Sequence, residues 1–368
     1  MHIPDGYLSP STCAALYAAS TPFWVIALRR VQAMLHARFV PLLSLFSAFS
    51  FVVMMFNLPL PGGTTGHAVG MGVAAVVLGP WGSILAISVA LAIQAVFFGD
   101  GGITAYGANC FNMAVVGSLT AWAVYRAISG RAALTSPRRV VAAAVGGYLA
   151  INGAALCAAV EFGVQPGWFH DANGAPLYAP YPLSVAVPAM LIGHLTFAGL
   201  AELVLSAGVV RYLQRANPDL LRATAPGAAD DGVAGTPAPV GGWRAARPLW
   251  VALALLMLAT PLGLLAAGTA WGEWGVEDFS NAAARQEIAA ASGQVTPPDA
   301  APAGLERLAS LWTAPMPDYA PAFLRNRHFG YGLSAMFGVG LILSVWLAVD
   351  WTAGRLSPSN RPPPATLV

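Results

Sequence analysis

Long apolar stretches alternate with short polar connections along almost the whole chain. A bilayer core about 30 Å thick requires roughly 17–25 residues of helix to cross it. Runs of that length fall at about 12–28, 40–60, 82–98, 104–125, 140–161, 183–210, 248–269 and 328–350. The pattern therefore predicts an all-α polytopic membrane protein.

A shorter apolar stretch at 67–79 completes the predicted topology. The letters GPWG that follow at 79–82 are typical of a turn, so 67–98 is predicted to be a helical hairpin. Its first arm has only about 13 residues, about 20 Å as a helix, so a tilted or re-entrant arm stays open. Arginine clusters begin at Arg29, Arg126, Arg211 and Arg355, and arginine-rich loops are typical of the cytoplasmic side. Nine membrane helices bring all four clusters to that side, with the N-terminus outside and the C-terminus cytoplasmic.

The composition divides the chain into two membrane units. Residues 1–222 hold about seven of the predicted helices. Residues 223–246 contain the letters ATAPGAADDGVAGTPAPVGG, which are typical of a flexible linker, here cytoplasmic. Residues 247–368 hold two helices, with an extracytoplasmic loop at 271–327.

The charge content narrows the class of protein. Only 9% of the residues are charged, against about 25% in soluble domains, and the formal net charge is +2 with a mean hydropathy of +0.63. These values exclude a soluble enzyme, a disordered chain and a nucleic-acid-binding protein. All 18 basic residues are arginine. Because a phosphate-binding P-loop needs a lysine, the chain has no such ATPase site of its own.

The N-terminus has the chemistry of a metal chelator. The chain opens with MHIPDG, and no basic residue precedes Arg29, so a signal peptide is not predicted. His2 is not small, so we expect Met1 to be retained with a free amine. That amine, the backbone nitrogen of His2 and its imidazole can bind one ion through two fused chelate rings. Ni²⁺ and Cu²⁺ can displace the amide proton, and a fourth nitrogen would complete a square plane. The alternative is that His2 merely follows the start.

A fourth nitrogen donor is predicted at His67. It lies in the glycine-rich letters GGTTGHAVG at 62–70, on the same predicted side as the N-terminus. The alternative is a helix-end histidine bonded to a loop carbonyl. Metal-bound imidazoles usually donate their second N–H to an outer acceptor; helix capping and interhelical bonding are the alternatives for each candidate. The candidate outer residues are Thr64, Thr65, Asp100, Asn109 and Asn112.

These motifs together resemble a known transporter family. The opening MHIPDG, the loop GGTTGHAVG and the letters FGDGG and GANCFNM at 98–113 resemble the substrate-binding membrane component of nickel/cobalt energy-coupling-factor (ECF) transporters. This resemblance covers about residues 1–215. Residues 247–351 are similar to the small two-helix accessory subunit of these systems, here fused, through GLE at 304–306 and PDY at 317–319.

The resemblance implies a function and partners. It implies a metal held by the nitrogens of Met1 and His2 and by the imidazoles of His2 and His67. The transported ion would be Ni²⁺, with Co²⁺ as the alternative, and no resident cofactor is implied. The implied partners are a transmembrane coupling protein (T component) and a cytoplasmic ATPase (A component) in the cell inner membrane. The chain itself would be no enzyme.

Two other classes of function remain as alternatives. A stand-alone secondary metal transporter should show inverted repeats and charge pairs buried along a path, and the sequence shows no repeat. An intramembrane metalloenzyme should carry a motif such as HExxH beside a general base, and the sequence has none.

Overall fold

The computed structural model describes residues 1–32, 39–222, 224–229, 243–321 and 323–356. Over these ranges the chain is mostly helical. Its α-helices, in chain order, are α1 (Pro10–Gln32), α2 (Phe39–Met54), α3 (Met71–Ile93), α4 (Tyr106–Asn109), α5 (Ser118–Ser129), α6 (Pro137–Gly163), α7 (Gln165–Trp168), α8 (Leu183–Gly193), α9 (Gly199–Ala216), α10 (Trp243–Ala259), α11 (Ala282–Ala291), α12 (Ala303–Leu308) and α13 (Arg327–Leu356). Strands β1 (Leu58–Leu60) and β2 (Thr64–Gly66) form one antiparallel pair.

The helices confirm the predicted class, a mostly helical polytopic membrane protein. Six helical segments of the described chain are long and apolar enough to cross a membrane, and α2 is a shorter apolar helix. Two π-helical stretches join pairs of helices: 110–117 connects α4 to α5, and 194–198 connects α8 to α9. A third, 94–98, extends α3. α8 and α9 therefore run as one segment of 34 residues, Leu183–Ala216.

The segment from Met71 to Phe98 is bent back on itself. It has 28 residues, which as a straight helix would separate its ends by about 42 Å. Both ends nevertheless lie near one side chain, because His67 and Asp100 each contact His2. The backbone leaves helical geometry at Gly79, whose φ is 71°. The chain therefore reverses there, as the turn signal predicts, and only eight residues form the first arm.

The connection between α5 and α6 and the end of α9, both rich in arginine, lie at one end of the bundle, which we call the arginine end. Arg139 is buried and donates to the carbonyl of Ala132 at 2.6 Å and to the hydroxyl of Tyr125 at 2.9 Å. Gln214, at the end of α9, donates to the carbonyl of Leu134 at 2.8 Å. These bonds hold the α5–α6 connection against the end of α9.

The second unit packs along the first. The indole of Trp346 in α13 donates to the hydroxyl of Ser47 in α2 at 2.9 Å, and the hydroxyl of Tyr331 donates to the carbonyl of Met55 at 2.8 Å. The connection between α10 and α13 covers the end of the bundle opposite the arginine end, where Met316 N donates to the carbonyl of Phe97 at 3.0 Å. The linker predicted at 223–246 lies largely outside the described residues, as does the tail beyond 356.

Candidate metal centre

The first residues of the chain are buried inside the covered end of the bundle. The exposed fractions of Met1, His2 and Ile3 are 3%, 1% and 0%. Asn109 in α4 holds this segment by binding both backbone polar groups of Ile3. Its Oδ1 accepts from Ile3 N at 2.8 Å and its Nδ2 donates to the Ile3 carbonyl at 3.1 Å. Gly102 N donates to the same carbonyl at 2.8 Å. The backbone beside His2 is therefore fixed by side-chain and main-chain bonds.

Asp5 anchors the segment a few residues later. Its carboxylate accepts from Ile103 N at 3.1 Å and from Thr104 N at 2.7 Å, and also from the Thr104 hydroxyl. A Cβ atom at Gly102 would lie 2.4 Å from Asp5 N, so no larger residue fits at that contact. The N-terminal segment therefore packs tightly against the loop that begins with the GDGG letters at 99–102.

The imidazoles of His2 and His67 lie close together. Their ring centres are 5.1 Å apart. With metal–nitrogen bonds of about 2 Å, two imidazoles on one ion have ring centres within about 6.5 Å of each other. Both side chains are buried. The two rings can therefore reach a common ion.

His67 presents the correct nitrogen. Its Nδ1 donates to the carbonyl of Ala68 at 3.0 Å, which is the loop-carbonyl contact of the alternative interpretation. The same contact leaves Nε2 with its lone pair for a metal. Burial lowers the pKa of His67 to about 3, and the neighbouring charges of His2 and the N-terminal amine act in the same direction. The imidazole is therefore in its neutral, metal-binding form.

His2 faces a carboxylate. Its Nδ1 contacts Oδ1 of Asp100, whereas its Nε2 is buried without a hydrogen-bond partner. A chelate that includes the backbone nitrogen of His2 must use Nδ1, because Nε2 lies too far from the backbone to close the ring. To bind an ion in this way, Nδ1 has to exchange Asp100 for the metal.

Asp100 and the N-terminal amine both contact the second unit. Oδ2 of Asp100 accepts from the hydroxyl of Tyr319 at 2.6 Å and from Nε2 of Gln94 at 3.1 Å. Burial alone would raise the pKa of Asp100, but the charge and hydrogen bond of His2 lower it below its usual value. The amine of Met1 lies 3.2 Å from Oε1 of Glu273. Residues 247–356 therefore contact the Met1 amine directly, through Glu273, and His2 indirectly, through Asp100.

The predicted outer residues divide into two groups. Asp100 and Asn109 contact the N-terminal segment, as described above. Thr64 and Thr65 donate instead to the carbonyls of Pro61 at 3.4 Å and Gly268 at 3.5 Å. Asn112 donates to Oε2 of Glu161 at 2.7 Å. An outer role for each of these five residues stays a prediction.

Sequence reasoning did not find three further residues around the site. Gln94, Glu273 and Tyr319 contact Asp100 or Met1, yet each lies in a different part of the chain. The only sequence signal was weak: Tyr319 belongs to the PDY letters that resemble the accessory subunit. Across the described ranges no three His, Cys, Asp or Glu side chains are grouped to hold an ion. An ion bound at the candidate centre would therefore need main-chain nitrogens in addition to the two imidazoles.

A cavity lies beside the candidate centre. Its volume is about 160 Å³, and its lining includes Asp5 and Gly101 from the first unit and Glu273 and Leu305 from the second. Two of these residues, Asp5 and Glu273, carry carboxylates. The cavity therefore opens between the two units, next to the Met1 amine.

Comparison with known proteins identifies the family. Residues 2–220 match the family model described as the cobalt uptake substrate-specific transmembrane region, which is more than half of the chain. The chain belongs to this family. Residues 246–355 match a second model, the PDGLE domain.

The relatives are transport proteins. The chain is 58% identical over 361 residues to the fused nickel transport protein NikMN of Rhodobacter capsulatus, covering 98% of this chain and 99% of that protein. It is 33% identical over 271 residues to the cobalt transport protein CbiM of Geobacter sulfurreducens, covering 73% and 72%. A crystal structure of a truncated transition metal transporter is 49% identical, with a TM-score of 0.55, over 58% of this chain and 99% of that one. The chain is therefore a nickel or cobalt transport component.

Proposed function

We propose that the chain is the substrate-specific component of an ATP-driven ECF importer for Ni²⁺. The observation that carries the proposal is the buried pair of imidazoles, His2 and His67, beside the nitrogens of Met1 and His2. Four nitrogens in one plane suit Ni²⁺. The choice of nickel is supported by the relative that this chain matches over nearly its whole length, which is named as a nickel transport protein.

Binding then follows from groups already in place. The Met1 amine leaves Glu273 and loses a proton, and the amide of His2 loses its proton to become a ligand. Nδ1 of His2 loses the proton that it shares with Asp100 and binds the ion in place of that carboxylate, and Nε2 of His67 completes the plane. The protons of the amine, the amide and Nδ1 pass to the solvent. Asn109 keeps the Ile3 peptide fixed, so the chelating backbone loses little freedom on binding. The ion is caged without water in this scheme.

Orientation and partners complete the proposal. The arginine end would face the cytoplasm, which places the metal centre and its cavity on the outer side. The cavity lined by Asp5 and Glu273 would be the approach for the hydrated ion. ATP hydrolysis would come from a partner ATPase acting through a membrane coupling protein, since the chain carries no P-loop lysine.

An alanine inserted between Met1 and His2 tests the chelate. The insertion enlarges the chelate system and moves the imidazole away from the amine, so we expect Ni²⁺ binding to be lost. The measurement is a Ni²⁺ titration of the purified full chain, with mass spectrometry showing that it begins with an unmodified Met1. Normal affinity in the inserted chain would exclude the N-terminal site.

His67→Ala tests the fourth donor. We expect loss of high-affinity Ni²⁺ binding, because one in-plane nitrogen is removed. His170→Ala is the matched control: His170 is exposed and its Nδ1 contacts the carbonyl of Asp171. It should bind Ni²⁺ like the unaltered chain. Equal affinity of the two variants would remove His67 from the site.

Co²⁺ is the second candidate substrate. The family model is described by cobalt uptake, and one relative is named as a cobalt transport protein. Both ions can use the same four nitrogens. A competition titration with Ni²⁺ and Co²⁺ on one preparation decides between them, and tighter Co²⁺ binding would overturn the preference for nickel.

A further inference from the structure

We propose that Glu202 is a positioning residue for the metal centre: it holds the loop that carries His67. This inference rests on the proposed metal-binding function. Glu202 lies in α9, on the Leu183–Ala216 segment, and its side chain is completely buried.

The carboxylate of Glu202 accepts three main-chain hydrogen bonds. Oε2 accepts from Val69 N and from Gly70 N, both at 2.8 Å, and Oε1 accepts from Gly72 N at 3.0 Å. Both carboxylate oxygens therefore accept hydrogen bonds from one short stretch of chain, which begins two residues after His67.

The stretch needs such a partner because it begins a helix. The first N–H groups of a helix have no acceptor within the helix, and they are normally capped by a side chain. The N-cap residue of α3 is Gly70, in a left-handed conformation and with no side chain to form a cap. The carboxylate of Glu202 in α9 supplies an acceptor for Gly72 N in the first turn and for the two amides just before the helix, Val69 N and Gly70 N. Its charge suits the positive end of the helix.

The same stretch is held from a second side. The hydroxyl of Ser50 in α2 donates to the carbonyl of Val69. Val69 is thus bonded at its N–H by Glu202 and at its carbonyl by Ser50. His67 is separated from Val69 by a single residue. Because consecutive Cα atoms are about 3.8 Å apart, fixing Val69 leaves the backbone of His67 little room to move. The position of the His67 imidazole relative to His2 therefore depends on Glu202.

Glu202→Gln tests the inference. A glutamine has one acceptor oxygen, and its NH₂ group faces N–H groups that it cannot bond, so at least one of the three bonds is lost. Loss of an outer partner of a metal ligand typically weakens metal affinity by about 10- to 100-fold, and we expect a loss of that size in a Ni²⁺ titration of the full chain. Glu202→Asp is expected to weaken binding too, because its shorter side chain cannot reach all three amides.

The spectrum of the bound ion separates positioning from simple destabilisation. If His67 is displaced, a weaker oxygen donor takes its place, so the visible absorption band of bound Ni²⁺ should shift to longer wavelength. Gln214→Leu is the matched control: it removes the hydrogen bonds that another buried side chain of α9 makes to main-chain groups, at the arginine end. That variant should keep both the affinity and the band of the unaltered chain.

A double variant completes the experiment. If Glu202 acts through His67, adding Glu202→Gln to His67→Ala should cause no further loss of affinity. Additive losses, or an unaltered affinity and band in Glu202→Gln, would overturn the inference while leaving the nickel site intact. If His67→Ala itself binds Ni²⁺ normally, the proposed site is wrong and the role of Glu202 falls with it.

Discussion

At the scale of the residue, the centre depends on which nitrogen atoms are free. Nδ1 of His67 is occupied by the Ala68 carbonyl, which leaves Nε2 for an ion. His2 is different, because its Nδ1 contacts Asp100 and its Nε2 has no partner. The two imidazoles therefore differ in what metal binding requires. Nε2 of His67 can bind an ion without breaking a hydrogen bond, whereas Nδ1 of His2 must first leave the Asp100 carboxylate.

This difference predicts how binding depends on pH. Burial lowers the pKa of His67 to about 3, so at neutral pH this imidazole carries no proton that the metal must displace. The protons displaced are those of the Met1 ammonium group, the His2 amide and Nδ1 of His2, which faces Asp100. Affinity should therefore fall as the pH is lowered from about 8 to about 6, and Ni²⁺ should release protons into a weakly buffered solution.

The alanine-inserted chain is the control for that measurement. Because it lacks the chelate, the same amount of Ni²⁺ should release few protons from it. An affinity of the unaltered chain that stayed constant with pH would contradict coordination by a deprotonated amide.

At the scale of the element, the covered end of the bundle is assembled from pieces of both units. The N-terminal segment is held by α4 through Asn109 and by the 100–104 loop through Asp5. The second unit adds Glu273 at the Met1 amine and Tyr319 at Asp100. A fused accessory unit is therefore in direct contact with the groups that surround the candidate centre.

Tyr319→Phe tests whether this contact matters. The change removes the hydroxyl that donates to Asp100 at 2.6 Å and leaves the ring in place. Asp100 would then have only His2 and Gln94 as donors and would hold the Nδ1 proton of His2 more tightly against the metal. We therefore expect Ni²⁺ affinity to fall by about 10-fold, the size of change typical of residues around a metal ligand. The measurement is a Ni²⁺ titration of the full chain.

Tyr181→Phe is the control for the lost hydroxyl. Tyr181 is also buried, and its hydroxyl also joins the two units, by donating to the carbonyl of Val295 at 3.0 Å. Tyr181→Phe should bind Ni²⁺ like the unaltered chain. A similar loss in both variants would show that the two units merely need to pack together.

At the scale of the whole molecule, binding and transport should be separable. The candidate metal centre lies at the covered end of the bundle, opposite the arginine end. In the proposed importer the energy for transport comes from a partner ATPase. In that importer the chain binds the ion by itself, and only movement of the ion requires the ATPase.

Uptake measured with and without partners tests this separation. In membranes that contain the coupling protein and the ATPase, we expect radioactive nickel to accumulate. An ATPase that cannot hydrolyse ATP should reduce accumulation to background while Ni²⁺ binding by the purified chain is unchanged. Accumulation without the ATPase would favour a stand-alone secondary transporter. His67→Ala should remove both accumulation and binding.

The amino-acid sequence by itself determined the membrane class and the bend in the chain. Apolar runs give the spans because a bilayer sets the length of a helix. Six of the eight predicted runs coincide with helices of spanning length, and the run at 40–60 coincides with the shorter α2. The letters GPWG fixed the reversal at Gly79 because glycine alone readily adopts its positive φ. The candidate donors Met1, His2 and His67 were also visible, since the chemistry of an N-terminal chelate depends on neighbouring residues.

Only the tertiary structure decided what surrounds those donors. Glu273 meets Met1 across 272 positions of the chain, Tyr319 meets Asp100 across 219, and Glu202 meets Val69 across 133. No local periodicity encodes such contacts, because they depend on how the helices pack and on which side chain reaches which backbone group. Thr64, Thr65 and Asn112 have suitable residue types, but their hydrogen bonds go elsewhere for the same reason.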